Sequence, residues 1–211
     1  MHARLLYVMD PMCSWCWGFA PVAEALVEQA KAAGLPLHLV VGGLRTGSGA
    51  ALEPKTRRYI LEHWQAVHDT TGQAFRFDGA LPDGFVYDTE PACRAIVAAR
   101  SLAPDIAWKL VKEIQQAFYL EGRDVTKGSV LAQLAEKAGL PRIEFADAFD
   151  GAQQRAATAS DFSWVQDLGI AGFPTLLAER NGQLALLTNG YQPLETLAPM
   201  LSRWLERAAS A

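Results

Sequence analysis

The sequence has 211 residues, half of them apolar and a fifth charged, which is typical of a folded protein with one large domain or two small ones. Its net charge of −4 and the scatter of its Lys and Arg residues argue against a nucleic-acid partner. Apolar runs stay well below the roughly 18 residues of a membrane span, and the first residues lack the apolar core of a secretory signal. We therefore expect a cytoplasmic protein that has no membrane partner.

The N-terminal region predicts a strand–helix–strand unit with two cysteines at its centre. Residues 5–9 form an apolar, β-prone run, residues 17–32 form an amphipathic helix, and residues 37–41 form a second apolar run. Cys13 and Cys16 stand between the first strand and the helix. In this context a Cys-x-x-Cys spacing is typical of a dithiol redox site.

The middle of the chain, residues 46–150, is predicted to be helical. Apolar residues recur there at helical spacing, and segments that contain Gly and Pro separate the stretches. We expect Asp88-Thr89 to cap one of these helices, and Thr126 and Gly139 to mark the start and the end of another. Residues 152–168 predict a further helix.

The C-terminal region predicts a β-hairpin followed by a helix. Residues 175–178 and 184–188 are apolar runs joined across Asn181 and Gly182, a dipeptide that supplies the positive φ angles of a type I′ turn. The sequence after Gly190 has its leucines on one helical face. The chain therefore predicts an α/β fold in the order β-α-β, helical insert, β-hairpin and closing helix.

Three segments match a known family, namely DPMCSWCWGF at 10–19, GGLR at 42–45 and GIAGFPT at 169–175. On these motifs the chain resembles the DsbA-like thioredoxin superfamily and is most similar to its cytoplasmic FrnE-type disulfide oxidoreductases and predicted protein-disulfide isomerases. The resemblance implies a thioredoxin-like fold with a helical domain inserted between the βαβ and ββα halves. It assigns residues 1–45 and 151–211 to the thioredoxin-like domain and residues 46–150 to the inserted helical domain.

The resemblance also assigns a role to Pro174, which precedes the hairpin. A thioredoxin fold places a cis-proline loop at this position, facing the dithiol, although trans is the default for an X–Pro bond. We therefore expect a cis bond between Phe173 and Pro174, and a substrate-binding groove that Pro174 shapes.

Cys13 is the predicted nucleophile of thiol–disulfide exchange. The unpaired N–H groups and the dipole at a helix N-terminus favour negative charge, so we expect its thiol to be ionised at neutral pH. Cys16, one helical turn later, is expected to be more buried and to resolve the mixed disulfide. Because the two cysteines carry the electrons themselves, we expect neither a bound cofactor nor a metal.

The residues around the dithiol predict the direction of exchange. Ser14 and Trp15 stand where the strongest oxidants of this type carry a His, and Tyr7 stands near the position of a buried acid in many thioredoxin-like proteins. We expect a potential between about −270 and −120 mV, which a reducing cytosol would keep mostly reduced. Reductase or isomerase activity is therefore favoured over net oxidation.

Three further residues are predicted to contact substrate. Trp15 and Phe173 offer apolar surface beside the dithiol. Trp17 and Phe19 are expected to pack the helix onto the sheet, with a place in the same apolar surface as the alternative. Arg45 is predicted to bind an anionic group such as a glutathione carboxylate, with pairing to a neighbouring carboxylate as the alternative. The predicted partners are disulfide-containing or unfolded proteins, or glutathione, and the sequence leaves monomer or dimer open.

The third cysteine and the histidines have simpler interpretations. Cys93 lies on an apolar helical stripe, so we expect a small buried hydrophobe, with an auxiliary thiol near the active-site face as the alternative. The four histidines show no catalytic pattern. A zinc half-site at the cysteine pair is disfavoured, because structural zinc usually takes four Cys or His ligands and His63 with His68 makes a poor second pair.

The main functional hypothesis is a thiol–disulfide oxidoreductase or isomerase, and two alternatives stay open. Glutathione-dependent enzymes of the hydroxychromene-carboxylate isomerase or kappa transferase type share the fold, but generally carry Ser where Cys13 stands. A non-catalytic redox-sensing or binding module is the other alternative, and it predicts that Cys13→Ala leaves the biological activity intact.

Overall fold

The computed structural model describes residues 3–209; residues 1–2 and 210–211, which the sequence analysis assigned to the thioredoxin-like domain, lie outside the described residues. Within the described chain four strands form one sheet. The strands are β1 (Ala3–Met9), β2 (Leu37–Val41), β3 (Thr175–Arg180) and β4 (Gln183–Asn189). The helices are α1 (Ser14–Ala32), α2 (Pro54–Thr71), α3 (Glu90–Leu102), α4 (Pro104–Tyr119), α5 (Gly128–Ala138), α6 (Arg142–Asp150), α7 (Ala152–Asp167) and α8 (Leu194–Ala209).

The order of the strands brings three loops to one edge of the sheet. The order is β2-β1-β3-β4, with β1 parallel to β2 and antiparallel to β3. Met9 at the end of β1 pairs with Val41 at the end of β2, and Val8 pairs with Thr175 at the start of β3. The loops that follow β1 and β2 and the loop that precedes β3 therefore lie side by side.

Alternating side chains of β1 pack on the two faces of the sheet, as expected for a central strand. Leu5 and Tyr7 belong to the main core, which includes the buried face of α1. Leu6 and Val8 belong to a smaller cluster with Val165 of α7. The sheet is therefore covered on both faces, and the burial of its centre fixes the register of β1.

The helical segment occupies the chain between β2 and β3. Helix α3 is buried along most of its length and packs against α4, α6 and α7 as well as against β2. Together with the strand order, this confirms the α/β thioredoxin-like fold with a helical insertion. The bounds of the two domains stay a prediction. No helix among residues 3–209 combines the length and the hydropathy needed to cross a membrane.

The predicted turns and helix ends mostly agree with the structure. Asn181 and Gly182 have φ angles of 49° and 79° and join β3 to β4, and Gly139 ends α5 with a φ of 111°. Thr126 is not the N-cap of α5, because its N–H and hydroxyl both bond to Asp124 and the helix begins two residues later.

The side chain of Asp88, the residue before the N-cap, bonds to the first turn of α3. Asp88 accepts the N–H of Glu90 at 3.0 Å. Thr89 occupies the N-cap position, but its hydroxyl accepts the N–H of Arg45 instead, at 3.2 Å. Thr89 therefore ties the start of α3 to the loop that follows β2.

Candidate active site

The two cysteines lie at the N-terminus of α1. Cys13 is the N-cap residue, its N–H donates to the carbonyl of Asp10 at 3.0 Å, and its carbonyl accepts the N–H of Trp17 at 3.1 Å. Cys16 lies in the first turn, and both cysteines are free thiols. Cys13 keeps 5% of its surface exposed and Cys16 none, so Cys13 is the more accessible of the two thiols.

The loop before β3 places its backbone against Cys13. The Phe173–Pro174 bond is cis, as predicted. The Cys13 thiol donates to the Phe173 carbonyl at 3.8 Å. The loop is held by Gly190, whose N–H donates to the Pro174 carbonyl at 2.7 Å, and by the Thr175 hydroxyl, which donates to the Gly172 carbonyl at 2.9 Å. The sheet edge thus joins the dithiol to the proline loop.

A cavity of about 370 Å³ opens in front of Cys13. It lies between the thioredoxin-like part of the chain and α2, which contributes four of its lining residues. The predicted substrate residues Trp15, Phe173 and Arg45 all line it. The lining residues are Met12, Cys13, Ser14, Trp15, Leu44, Arg45, Tyr59, Ile60, His63, Trp64, Tyr87, Gly172 and Phe173.

Trp15 lines this cavity and contacts both α2 and the segment that follows β4. Its indole N–H donates to Nε2 of His63 on α2 at 3.1 Å. Its ring centroid lies 6.2 Å from that of Tyr191, which follows β4. His63 itself packs against Tyr59, with ring centroids 5.8 Å apart. No sequence pattern points to His63, because only the fold brings α2 beside the dithiol.

Arg45 also lines the cavity. Its guanidinium lies 5.4 Å from the ring centroid of Tyr87, an arrangement typical of a cation–π contact. The ion pairs found among residues 3–209 do not include Arg45. Of the two alternatives in the sequence analysis, pairing with a carboxylate is therefore not seen in the described chain.

Asp10 is a buried carboxylate behind the dithiol, and the sequence analysis assigned it no role. Its Oδ1 accepts the N–H of Met12 at 2.9 Å and its Oδ2 accepts the N–H of Leu44 at 2.7 Å. The thiol of Cys93 donates to the same Oδ2 at 3.3 Å. Burial raises the pKa of Asp10, and these hydrogen bonds oppose the rise. Cys93 is buried as expected, but it bonds to the active-site loop as well as filling space.

The electrostatics around Cys16 keep it protonated while the site is reduced. Burial raises the pKa of Cys16 well above its ordinary value, and the hydrogen bond with Cys13 and the charge of that residue add to the rise. Tyr7 is buried beside it, and burial together with the nearby Cys16 raises the pKa of Tyr7 as well. Burial therefore favours the protonated thiol form of Cys16.

Trp17 and Phe19 have different partners. Phe19 packs against Tyr7 of the sheet, as expected, with ring centroids 5.9 Å apart. Trp17 instead stacks on Tyr119 of α4 at 5.8 Å and donates its indole N–H to the Ala74 carbonyl at 2.8 Å. The expectation that Trp17 packs onto the sheet is wrong, because its position on α1 points toward the inserted helices.

Comparison with solved structures gives two close likenesses. A candidate protein disulfide isomerase from Nitrosomonas europaea is 40% identical, covers 98% of this chain with 99% of its own, and superposes with a TM-score of 0.89. The cytosolic disulfide reductase DsbM from Pseudomonas aeruginosa is 34% identical over 95% of this chain and 98% of its own, with a TM-score of 0.78. A second structure of DsbM contains glutathione and is 31% identical over 99% of this chain and 100% of its own, with a TM-score of 0.76.

Matches at lower sequence identity support fewer conclusions about this chain. A 2-hydroxychromene-2-carboxylate isomerase is 16% identical over 98% of each chain, with a TM-score of 0.66, which shows a shared fold. The ClpXP adapter protein SpxH of Halalkalibacterium halodurans is 23% identical over 80% of this chain. The chain spans 56% of that protein's length and 55% of the SpxH of Bacillus subtilis.

A model of the DSBA-like thioredoxin domain matches residues 4–202, which include both cysteines, the proline loop and the helical insert. The match thus covers the sheet, the site and nearly all of the described chain. The chain belongs to the DSBA-like thioredoxin domain family.

Proposed function

We propose that this protein is a thiol–disulfide oxidoreductase that reduces or isomerises disulfides through Cys13 and Cys16. The observation that carries the proposal is the position of the Cys13 thiol. It lies at the N-terminus of α1, 3.8 Å from the Phe173 carbonyl of the proline loop, and it opens into the cavity. A thiolate in this position has the helix dipole behind it and a substrate disulfide in front of it.

The reaction would proceed by two exchange steps. The Cys13 thiolate attacks one sulfur of the substrate disulfide, the S–S bond breaks, and the second substrate sulfur leaves as a thiolate that takes up a proton. Cys16 then loses its proton and attacks the Cys13 sulfur, which releases the first substrate sulfur as a thiol. The substrate gains two electrons, and Cys13 and Cys16 form a disulfide that two external thiol molecules reduce again.

Glutathione is the small thiol that we propose for the external step, with disulfide-containing or unfolded proteins as the other partners. The cavity of about 370 Å³ has room for part of a peptide-sized ligand, and Arg45 offers an unpaired cation within the described chain to a carboxylate. The glutathione complex of DsbM supports this choice, and the cytosolic description of DsbM supports a cytoplasmic location.

The chemistry of Cys13 weighs against the glutathione-dependent isomerase or transferase alternative. Enzymes of that type bind glutathione and generally carry a serine at this position. A protein thiolate there would instead attack glutathione disulfide, which forms a mixed disulfide with the protein and releases one glutathione thiolate. A glutathione-conjugation assay run beside a disulfide-reduction assay separates the two, because the proposed function predicts turnover only in the second.

The match to SpxH favours one other candidate, a binding module whose function does not need the exchange reaction. We keep it as a proposal because the chain spans only about half of the SpxH proteins and shares 23% identity with the first. It predicts that Cys13→Ala preserves binding of a protein partner. The oxidoreductase proposal predicts that the same variant loses turnover.

The decisive experiment compares Cys13→Ser with Cys16→Ser in the reduction of a glutathione-modified peptide, with glutathione as the reductant. We expect Cys13→Ser to reduce the rate by about 100-fold or more. We expect Cys16→Ser to accumulate a mixed disulfide on Cys13 that mass spectrometry detects. Circular dichroism checks that both variants are folded. Equal activity of the wild-type protein and Cys13→Ser would overturn the proposal.

A further inference from the structure

The buried Cys93 thiol makes a specific polar contact that neither exchange step uses. Cys93 is fully buried on α3, and its thiol donates to Oδ2 of Asp10 at 3.3 Å. A thiol is a weak hydrogen-bond donor, but its hydrogen bonds are stronger where water is excluded. Asp10 is also fully buried, so this contact is shielded from water. The contact joins the helical insert to the residue that directly follows β1.

Asp10 in turn holds the two loops that frame the dithiol. Oδ1 accepts the N–H of Met12, the residue before Cys13, and so fixes the turn that presents the nucleophile. Oδ2 accepts the N–H of Leu44, and so fixes the loop that carries Arg45 and forms one wall of the cavity. One carboxylate therefore sets the relative position of the reacting sulfur and the substrate wall.

The charge of Asp10 also reaches the dithiol. That charge raises the pKa of Cys16, although less than burial and the contacts with Cys13 do, while a hydrogen bond with the Asp10 backbone lowers it. The N-terminus of α3, where Thr89 and Cys93 lie, faces this carboxylate and favours its negative form. A lost hydrogen bond at Asp10 would thus change both the geometry and the electrostatics at the reacting sulfurs.

We propose that Cys93 is a positioning residue for thiol–disulfide exchange, which acts by donating its hydrogen bond to Asp10 and stays reduced throughout. The inference rests on the proposed function, because it concerns the balance between the reduced and oxidised states of Cys13 and Cys16. It differs from a packing role in a testable way. A packing role depends on the volume of the side chain, whereas the positioning role depends on a hydrogen-bond donor.

The test compares Cys93→Ala with Cys93→Ser, since the two replacements differ by one hydroxyl donor. The equilibrium constant of the dithiol with glutathione is measured by acid quench, alkylation and mass spectrometry. We expect Cys93→Ser to stay within about twofold of the wild-type value and Cys93→Ala to shift it about fivefold toward the reduced dithiol. The shift has this sign because Asp10 without its donor is protonated more easily, and the loss of its negative charge favours thiolates nearby.

Asp10→Asn serves as the second variant and should shift the same equilibrium in the same direction, by about tenfold. Equal shifts in Cys93→Ala and Cys93→Ser, or no shift in either, would show that Cys93 only fills space. A shift in Cys93→Ala without one in Asp10→Asn would exclude the route through Asp10. The Ala and Ser pair keeps the test valid if Asp10→Asn fails to fold.

The rate at which iodoacetamide alkylates Cys13 at neutral pH separates this inference from the proposed function. If the wild-type protein does not exchange with glutathione, the proposed function fails. In that case a difference in Cys13 alkylation between Cys93→Ala and Cys93→Ser still supports the positioning role, and equal rates overturn it.

Discussion

The indole N–H of Trp15, the residue between Ser14 and Cys16, donates a hydrogen bond to Nε2 of His63 on α2 at 3.1 Å. The two rings also meet edge to face, with centroids 6.3 Å apart. This contact joins the dithiol segment to the inserted helices across the mouth of the cavity. It requires the neutral tautomer of His63 that carries its proton on Nδ1, because Nε2 acts as the acceptor.

We predict that His63→Ala weakens substrate binding more than it slows the chemical step. Without its acceptor the Trp15 ring loses its fixed position in the cavity wall, so KM for a glutathione disulfide should rise about threefold while kcat stays nearly constant. His63→Gln supplies an acceptor oxygen and should restore much of the loss. Steady-state kinetics of the three proteins check the split.

A double-mutant cycle with Trp15→Phe tests whether the effect passes through the indole N–H. Once the donor is gone, His63→Ala should add little to the change in KM. Fully additive effects of the two substitutions on KM would contradict the prediction.

The close approach of Phe173 to Gly42 predicts a second sensitive position. A Cβ at Gly42 would lie 2.0 Å from Cζ of Phe173, so the ring must move and the proline loop with it. We expect Gly42→Ala to lower the free energy of unfolding by about 1–3 kcal/mol and to slow glutathione exchange. Urea denaturation and the exchange assay measure the two effects. Gly49→Ala is the matched control, because nothing lies within 4 Å of its added Cβ and both values should stay near wild type.

The sequence predicted the fold well where one local signal decides the structure. The apolar runs of the four strands and the Asn181-Gly182 turn are of this kind, because period-two burial and positive φ angles leave few alternatives. The start of α1 was predicted three residues late, since Cys13 has no capping side chain and its backbone alone supports the first turn. Thr126 was misassigned because Asp124 competes for its donors.

The candidate site was only half visible in the sequence. Cys13, Cys16 and Pro174 have roles that their motifs indicate. Asp10 belongs to the same motif as the cysteines, but its partners Leu44 and Cys93 come to it only through the fold, and His63 comes to the site through helix packing. Asp10 ends an apolar run, so its sequence context suggests only a turn, and its burial follows from the bonds to Leu44 and Cys93. Sequence separations of tens of residues between such partners leave no local pattern to detect.

The third prediction concerns the ion pair between Arg100 and Asp161 and its contribution to the free energy of unfolding. Nη1 of Arg100 donates to Oδ2 of Asp161 at 2.8 Å and also to the Leu39 carbonyl of β2. Asp161 accepts the N–H of Val41 at 3.0 Å. The pair thus ties α3 and α7 to the strand that leads into the Gly42 loop.

We expect Asp161→Ala to lower the free energy of unfolding by about 2 kcal/mol, because it leaves a mostly buried guanidinium without its partner. Asp150→Ala is the control, since Asp150 meets Arg155 at 4.0 Å with both side chains largely exposed, and it should cost less than about 0.5 kcal/mol. Urea denaturation of both variants checks the difference. Equal losses would mean that the buried pair contributes no more than an exposed one.

His38 on β2 predicts how stability depends on pH. Burial lowers the pKa of His38 from 6.5 to about 4, and the charges of Arg100 and Arg4 add to this effect, while Asp161 and Glu179 oppose it. In the unfolded chain His38 binds a proton near pH 6.5, whereas the folded protein binds it only near pH 4. Between these values the unfolded state holds more protons, so the folded protein loses stability as the pH falls.

Because His38 is only half-buried, solvent screening reduces the effect, and we expect a loss on the order of 1 kcal/mol between about pH 7 and about pH 5. Urea denaturation at the two pH values measures it. In His38→Gln the uncharged side chain should remove most of that loss. His68→Gln is the matched control, because His68 lies on α2 and not beside His38 on β2. This substitution should leave the loss of stability unchanged. A wild-type pH dependence in His38→Gln would assign the titration to another group.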